Sequence, residues 1–169
     1  MIIRQEKCKD HKEVYKLIKE AFATAKHADG KEQDLVAALR KGRAFIPELS
    51  LVAEIDGEVI GQILFTKAKV GKDEVLALAP LSVKPNYQKQ GIGTALMIQG
   101  HKIAKRLGYQ YSLVLGSKTY YSRTGYLPTG QFGIIVPEGI PAENFMVAKL
   151  QESAKTISGA VTYAKEFGI

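Results

Sequence analysis

Between residues 74 and 115 the chain reads as strand, glycine loop, helix and strand. The loop is Gln88-Lys89-Gln90-Gly91-Ile92-Gly93, and from it Ile92, Leu96, Ile103 and Leu107 recur at helical spacing until Gly108 stops the run. Two strands joined through one helix lie parallel in the same sheet. This segment therefore dictates a sheet with a parallel pair and a helix crossing one face. Such a loop also bares backbone N–H groups where the helix begins, and with the positive end of the helix dipole they suit a phosphate or diphosphate. Pro80 cannot donate to a strand ladder, which predicts a bulge or an unpaired side near the end of the first strand.

The remaining elements surround this unit. Ile2 to Gln5 form a short strand. Asp10 and Glu13 fit a capping box ahead of a helix over residues 11 to 24, with Val14, Leu17, Ile18, Ala21 and Phe22 on its apolar side. Lys31 to Lys41 read as a second helix. Asp56-Gly57 sits between the apolar runs 51–55 and 59–65, a two-residue hairpin signal. Tyr111 to Leu115 form a strand, a short helix spans 119 to 123, and Phe145–Leu150 and Ile157–Tyr163 read as two last strands. The order β-α-α-β-β-β-α-β-α-β-β is a mixed α+β domain.

A chain of 169 residues favours a single domain over residues 1–169 and can bury a core without disulfides. Cys8 is the sole cysteine, and no Cys/His cluster has zinc spacing, so no metal is expected. The net charge of +7 serves solubility or attracts an anionic ligand; the lysines form no dense run, so nucleic acid is not an expected partner. The first residues lack the apolar run of a secretory signal and no stretch spans a bilayer, which reads as a cytoplasmic protein without a membrane partner.

Two motifs carry a family resemblance. Gln88-Lys89-Gln90-Gly91-Ile92-Gly93 matches every defined position of Gln/Arg-x-x-Gly-x-Gly/Ala, the hallmark between the fourth strand and third helix of the GNAT superfamily, the acyl-CoA-dependent N-acetyltransferases. Tyr120-Tyr121-Ser122-Arg123-Thr124-Gly125-Tyr126 is similar to the aromatic-Tyr-x-basic-x-Gly-aromatic run after that family's fifth strand. The resemblance covers residues 1 to 127 well and the remainder loosely, and looks closest to a bacterial group of small acetyltransferases. It implies an acyl-CoA N-acyltransferase fold, a central twisted mixed sheet of about six to seven strands with helices on both faces.

What the resemblance implies for single residues follows the motifs. Backbone groups of Gln88, Lys89, Gln90, Gly91, Ile92, Gly93, Thr94 and Ala95 would surround the diphosphate of coenzyme A, with Lys84 and Lys89 steering it. Leu81, Ser82 and Val83 would offer strand backbone to the pantetheine arm, the Leu81 N–H facing the thioester oxygen. Tyr121 would be the general acid for the leaving thiolate, its phenol having an ordinary pKa of roughly 10. Tyr120 is the rival, pointing about 100° away on a short helix; with Tyr126 it is expected in the aromatic core. Many members carry Asn after the fifth strand and Ala before the aromatic pair. Here Gly116-Ser117-Lys118-Thr119 stands instead, and Ser117 is the substitute contact.

The expected reaction is transfer of an acetyl group from acetyl-CoA, a co-substrate, to a small-molecule amine or a protein amino group. Glu54, Glu74 and His27 are base candidates by residue type, and a water chain is another. Phe132, Ile134, Ile135 and Phe145 can line an acceptor pocket or belong to the core. The alternative functions are an acyl-CoA sensor without turnover and a phosphate or nucleic-acid binder. Monomer and homodimer are both open.

Overall fold

A computed structural model describes residues 1–26 and 28–169. Its regular elements are β1 (Ile2–Gln5), α1 (His11–Phe22), α2 (Glu32–Leu39), β2 (Phe45–Ile55), β3 (Glu58–Val70), β4 (Asp73–Val83), α3 (Ile92–Arg106), β5 (Tyr111–Leu115), α4 (Lys118–Tyr121), β6 (Tyr126–Pro128), β7 (Phe145–Lys149) and β8 (Val161–Thr162). All eight strands form one sheet, in the order β1-β2-β3-β4-β5-β7-β6, with β8 paired to β3.

Side-chain alternation explains how both faces are covered. Ile63, Phe65, Leu76 and Leu78 point to the face that α3 covers with Ile92, Leu96, Met97 and Ala104. Val52, Val59 and Leu64 point to the opposite face, under Val14, Leu17 and Ile18 of α1 and Val36 and Leu39 of α2. Each such aliphatic side chain taken fully out of water contributes roughly 1.5–3 kcal/mol. The part of the sheet beyond α1 and α2 is covered by the segment after Pro128: Ile134 and Ile157 pack on Val75, Ala77, Tyr111 and Leu113. Ile134 and Phe145 are thus core, Phe132 packs against that core, and Ile135 is exposed.

The Asp56-Gly57 turn forms as expected, pairing Ile55 with Glu58. A second two-residue turn at Gly71-Lys72 pairs Val70 with Asp73 and carries β3 and β4 well beyond the apolar runs. The last strand shrinks to Val161–Thr162, and an additional one, β6, forms at the sheet edge next to β7. Leu107 lies past the end of α3 and is exposed, while Met97 and Gly100 take up the buried stripe; a Cβ on Gly100 would stand 2.3 Å from the Phe65 ring.

The capping box does not form. Asp10 instead accepts from both Arg4 nitrogens (2.8 and 2.9 Å) and from Lys7 N–H (2.7 Å), tying β1 to the start of α1. Glu13 reaches across to accept from Val59 N–H (2.8 Å). The Arg4 guanidinium holds the Asp10 carboxyl down at about 2, against an ordinary 3.8. A depressed carboxylate adds stability that is fully present above the unfolded-state value and is lost as pH falls through the folded one. Asp10→Asn should therefore cost about 2 kcal/mol at pH 7 and flatten the stability profile between about pH 4 and 2, read by urea denaturation across that range.

Candidate active site

The parallel pair of β4 and β5 is joined only at Leu76–Ser112 and Ala77–Leu113. Past that point β4 runs on to Val83 and β5 to Leu115 without pairing, so the sheet splits. The cause lies in β4, where Leu81 faces Ile63 but Leu78 faces Phe65: β4 has one residue more than β3 across this interval, a bulge at Ala79-Pro80. Lys84 N–H donates to Ile60 O on β3 (2.8 Å). Amide direction alternates along a strand, so Ser82 N–H also turns to β3, while those of Leu81 and Val83 turn into the split.

At the end of β4 the chain passes through Pro85–Tyr87 and reaches the glycine loop. The Gln88 side-chain amide donates to Val83 O (3.0 Å) and that of Gln90 to Asn86 O (3.2 Å), bracing the loop against the strand it leaves. Lys89 has φ 63° and Gly91 φ 84°, two left-handed residues around Gln90. The first intrahelical bond runs from Ala95 N–H to Gly91 O (3.0 Å) and no side chain caps α3, so the amides of Ile92, Gly93 and Thr94 lie ahead of the ladder.

A cavity of about 620 Å³ joins the two features. Leu81 and Val83 line it from β4, Tyr87, Gln88, Lys89, Gly91, Ile92, Gly93 and Thr94 from the loop and α3, and Tyr120, Tyr121 and Arg123 from the far side. The expected residues that do not line it are Ser82, whose hydroxyl is buried against the Gln62 amide (3.0 Å), Gln90, Ala95 and Ser117. Ser117 caps α4 instead, its oxygen accepting from Tyr120 N–H at 3.3 Å, which leaves its own proton to donate. Lys84 is ion-paired with Glu58, whereas among the described residues Lys89 has no such partner, and of the two steering lysines it is Lys89 that lines the cavity. Arg123, the basic residue of the tyrosine motif, adds a second cation.

Tyr121 lies against Gly116, where a Cβ would come within 2.5 Å of its ring, and edge-on to Tyr120 and Tyr126 with centroids 5.0 and 5.7 Å apart. Burial, helped by the neighbouring Tyr120, pushes its phenol up to about 12. Tyr126 is core as expected. Tyr120 packs against the margin of that core, half-buried, and also reaches Gly93 of α3 and lines the cavity. Neither base candidate among the described carboxylates lines it. Glu54 is ion-paired with Arg4 (3.4 Å). Glu74 stands at the opposite end of β4 from Leu81, about 23 Å along the strand. His27 lies outside the described residues. Among these residues no group of three His, Cys, Asp or Glu is placed to hold a metal, and no helix is long and apolar enough to cross a membrane.

Residues 11–126 match the model of the acetyltransferase (GNAT) family. The chain belongs to that family. Its GNAT relatives include the protein named uncharacterized N-acetyltransferase YjhQ of Escherichia coli K12, 39% identical over 142 residues, which are 79% of this chain and 78% of that one. YhbS of the same strain, also named an uncharacterized N-acetyltransferase, is 29% identical over 70% of this chain and 74% of its own length. Among solved structures, a GNAT acetyltransferase from Brucella melitensis in complex with acetyl-CoA superposes with TM-score 0.83 at 30% identity, covering 98% of this chain and 97% of that one. The E. coli YhbS structure in complex with CoA gives TM-score 0.89 at 27% identity, covering 99% and 92%.

Proposed function

We propose that the chain is an acyltransferase that moves the acetyl group of acetyl-CoA to a primary amine by direct attack on the thioester. The observation that carries this reading is the continuity of one cavity from the uncapped amides of Ile92, Gly93 and Thr94, along the unpaired edge of β4, to the phenol of Tyr121. A diphosphate suits the amides. An extended, amide-bearing arm suits the N–H groups of Leu81 and Val83 that turn into the split. The crystal complexes of the two relatives with acetyl-CoA and CoA support the same ligand.

The chain's groups then have separate roles. Leu81 N–H, turned into the split, donates to the carbonyl oxygen as negative charge builds on it. Tyr121 donates its proton to the sulfur as the carbon–sulfur bond breaks. Burial keeps that phenol protonated throughout the neutral range, and the same desolvation raises the proton affinity of a thiolate formed beside it. Glu54 and Glu74 do not line the cavity, so neither is assigned as the base that takes the amine proton, and a chain of waters can serve.

Calorimetric titration with CoA tests the binding half. A CoA concentration of about 100 times Kd should stabilise the fold by about 2.7 kcal/mol, which for a chain of this length is a rise in Tm of roughly 5–10 °C. Release of free thiol from acetyl-CoA in the presence of an amine panel tests the chemistry. Binding without thiol release from any amine would instead describe a sensor, and no binding by a well-folded sample would remove the reading altogether.

A further inference from the structure

The contact between Tyr120 and Gly93 has a consequence for ligand binding. A Cβ built on Gly93 would stand 2.2 Å from the Tyr120 hydroxyl oxygen and 3.5 Å from a methyl group of Leu81. A helical Cβ leans toward the N-terminus of its helix. The hydroxyl therefore fills the space that a Gly93 side chain would take, on the first turn of α3, where the amides of Ile92, Gly93 and Thr94 are uncapped, and close to Leu81 of β4. Among the described residues it has no hydrogen-bond partner, and it faces the 620 Å³ cavity. The Arg123 guanidinium lies 5.9 Å from the centre of the Tyr120 ring and keeps positive charge at this spot.

From this geometry we infer that the Tyr120 hydroxyl is a donor to the diphosphate of the acyl-CoA, beside the α3 amides, and that Gly93 is glycine in this chain because the phenol occupies the place of a side chain. The inference rests on the acetyltransferase reading and adds to it a binding residue. It also gives the adjacent tyrosines different partners, the sulfur for Tyr121 and the diphosphate for Tyr120. The family motif admits alanine where Gly93 stands, and here alanine would drive the phenol out of its seat.

The test titrates CoA and inorganic pyrophosphate into wild type, Tyr120→Phe, Gly93→Ala and the double variant, with kcat and KM for acetyl-CoA measured on each. A lost hydrogen bond to a charged group predicts that Tyr120→Phe weakens CoA and pyrophosphate binding about tenfold or more, raising KM while kcat stays within about twofold. Gly93→Ala alone should weaken CoA binding by a similar factor, yet add less than about twofold in the Tyr120→Phe background, where the collision is gone. With S-acetylpantetheine, which has no diphosphate, wild type and Tyr120→Phe should have equal kcat/KM, a result that disturbed packing would not give. Equal CoA affinity of wild type and Tyr120→Phe overturns the inference alone, as does a fall in kcat at unchanged KM, which would make Tyr120 the acid. Failure of wild type itself to bind CoA overturns the acetyltransferase reading with it.

Discussion

Replacing Tyr121 by Phe should lower kcat for acetyl transfer by about 10²- to 10⁴-fold, the range for a lost general acid, while CoA binds with unchanged affinity. The ring packs against Gly116 and edge-on to Tyr120 and Tyr126, and Phe keeps all three contacts, so the fold should tolerate the change. On the proposed mechanism, what is lost is the proton for the leaving sulfur. The pH profile is the second readout. Because burial pushes the phenol to about 12, its deprotonation cannot cause a fall in rate below about pH 11. The wild-type rate should rise with pH as the amine loses its proton, and then level off. A descending limb near pH 9 or 10 would mean that the acid is a group with an ordinary phenol or ammonium pKa. Intact turnover in the Phe variant would also remove Tyr121 from the mechanism.

The parts of this site that follow one another along the chain were legible in its sequence, and the parts made by tertiary contact were not. The glycine loop can be read because strand end, loop and helix start are consecutive, and Pro80 announces the bulge that opens the split. The Asp56-Gly57 hairpin is legible for the same reason. The turn at Gly71-Lys72 is harder to see, since Lys67 and Lys69 break the apolar run although they alternate with buried Ala68 and Val70. Hydrophobic periodicity also misreads α3 near its end. It counts Leu107, which is exposed, and passes over Gly100, whose missing side chain admits Phe65. Tyr120 and Tyr121 show the limit most clearly. Helical geometry says that they diverge, but only the fold reveals that one meets Gly116 and the other Gly93, 27 residues upstream. Asp10 and Glu13 have capping-box spacing, yet Arg4 on β1 and the Val59 amide on β3 take these carboxylates in place of the helix end.

Tyr126→Ala should cost about 3–5 kcal/mol of folding stability, the range for deleting a buried large aromatic. Tyr126 has no exposed surface, and its hydroxyl links Ser112 Oγ (2.8 Å) to His101 Nε2 (3.0 Å) between β5, β6 and α3. Burial pushes His101 down to about 4, so at pH 7 the chain of hydrogen bonds joins three neutral groups. Removing the ring leaves a void beside Phe65 and His101 and strands both polar partners. Urea denaturation should show a lower midpoint with an unchanged slope. Tyr126→Phe divides the effect: it keeps the ring and orphans only Ser112 and His101, at about 1–3 kcal/mol. The two variants should also differ in activity below their melting temperatures. Tyr121 leans on the Tyr126 ring and not on its hydroxyl, so Phe should preserve kcat while Ala lowers it together with stability. Equal kcat in the two folded variants would show that the position of the Tyr121 phenol is set by Gly116 and Tyr120 alone.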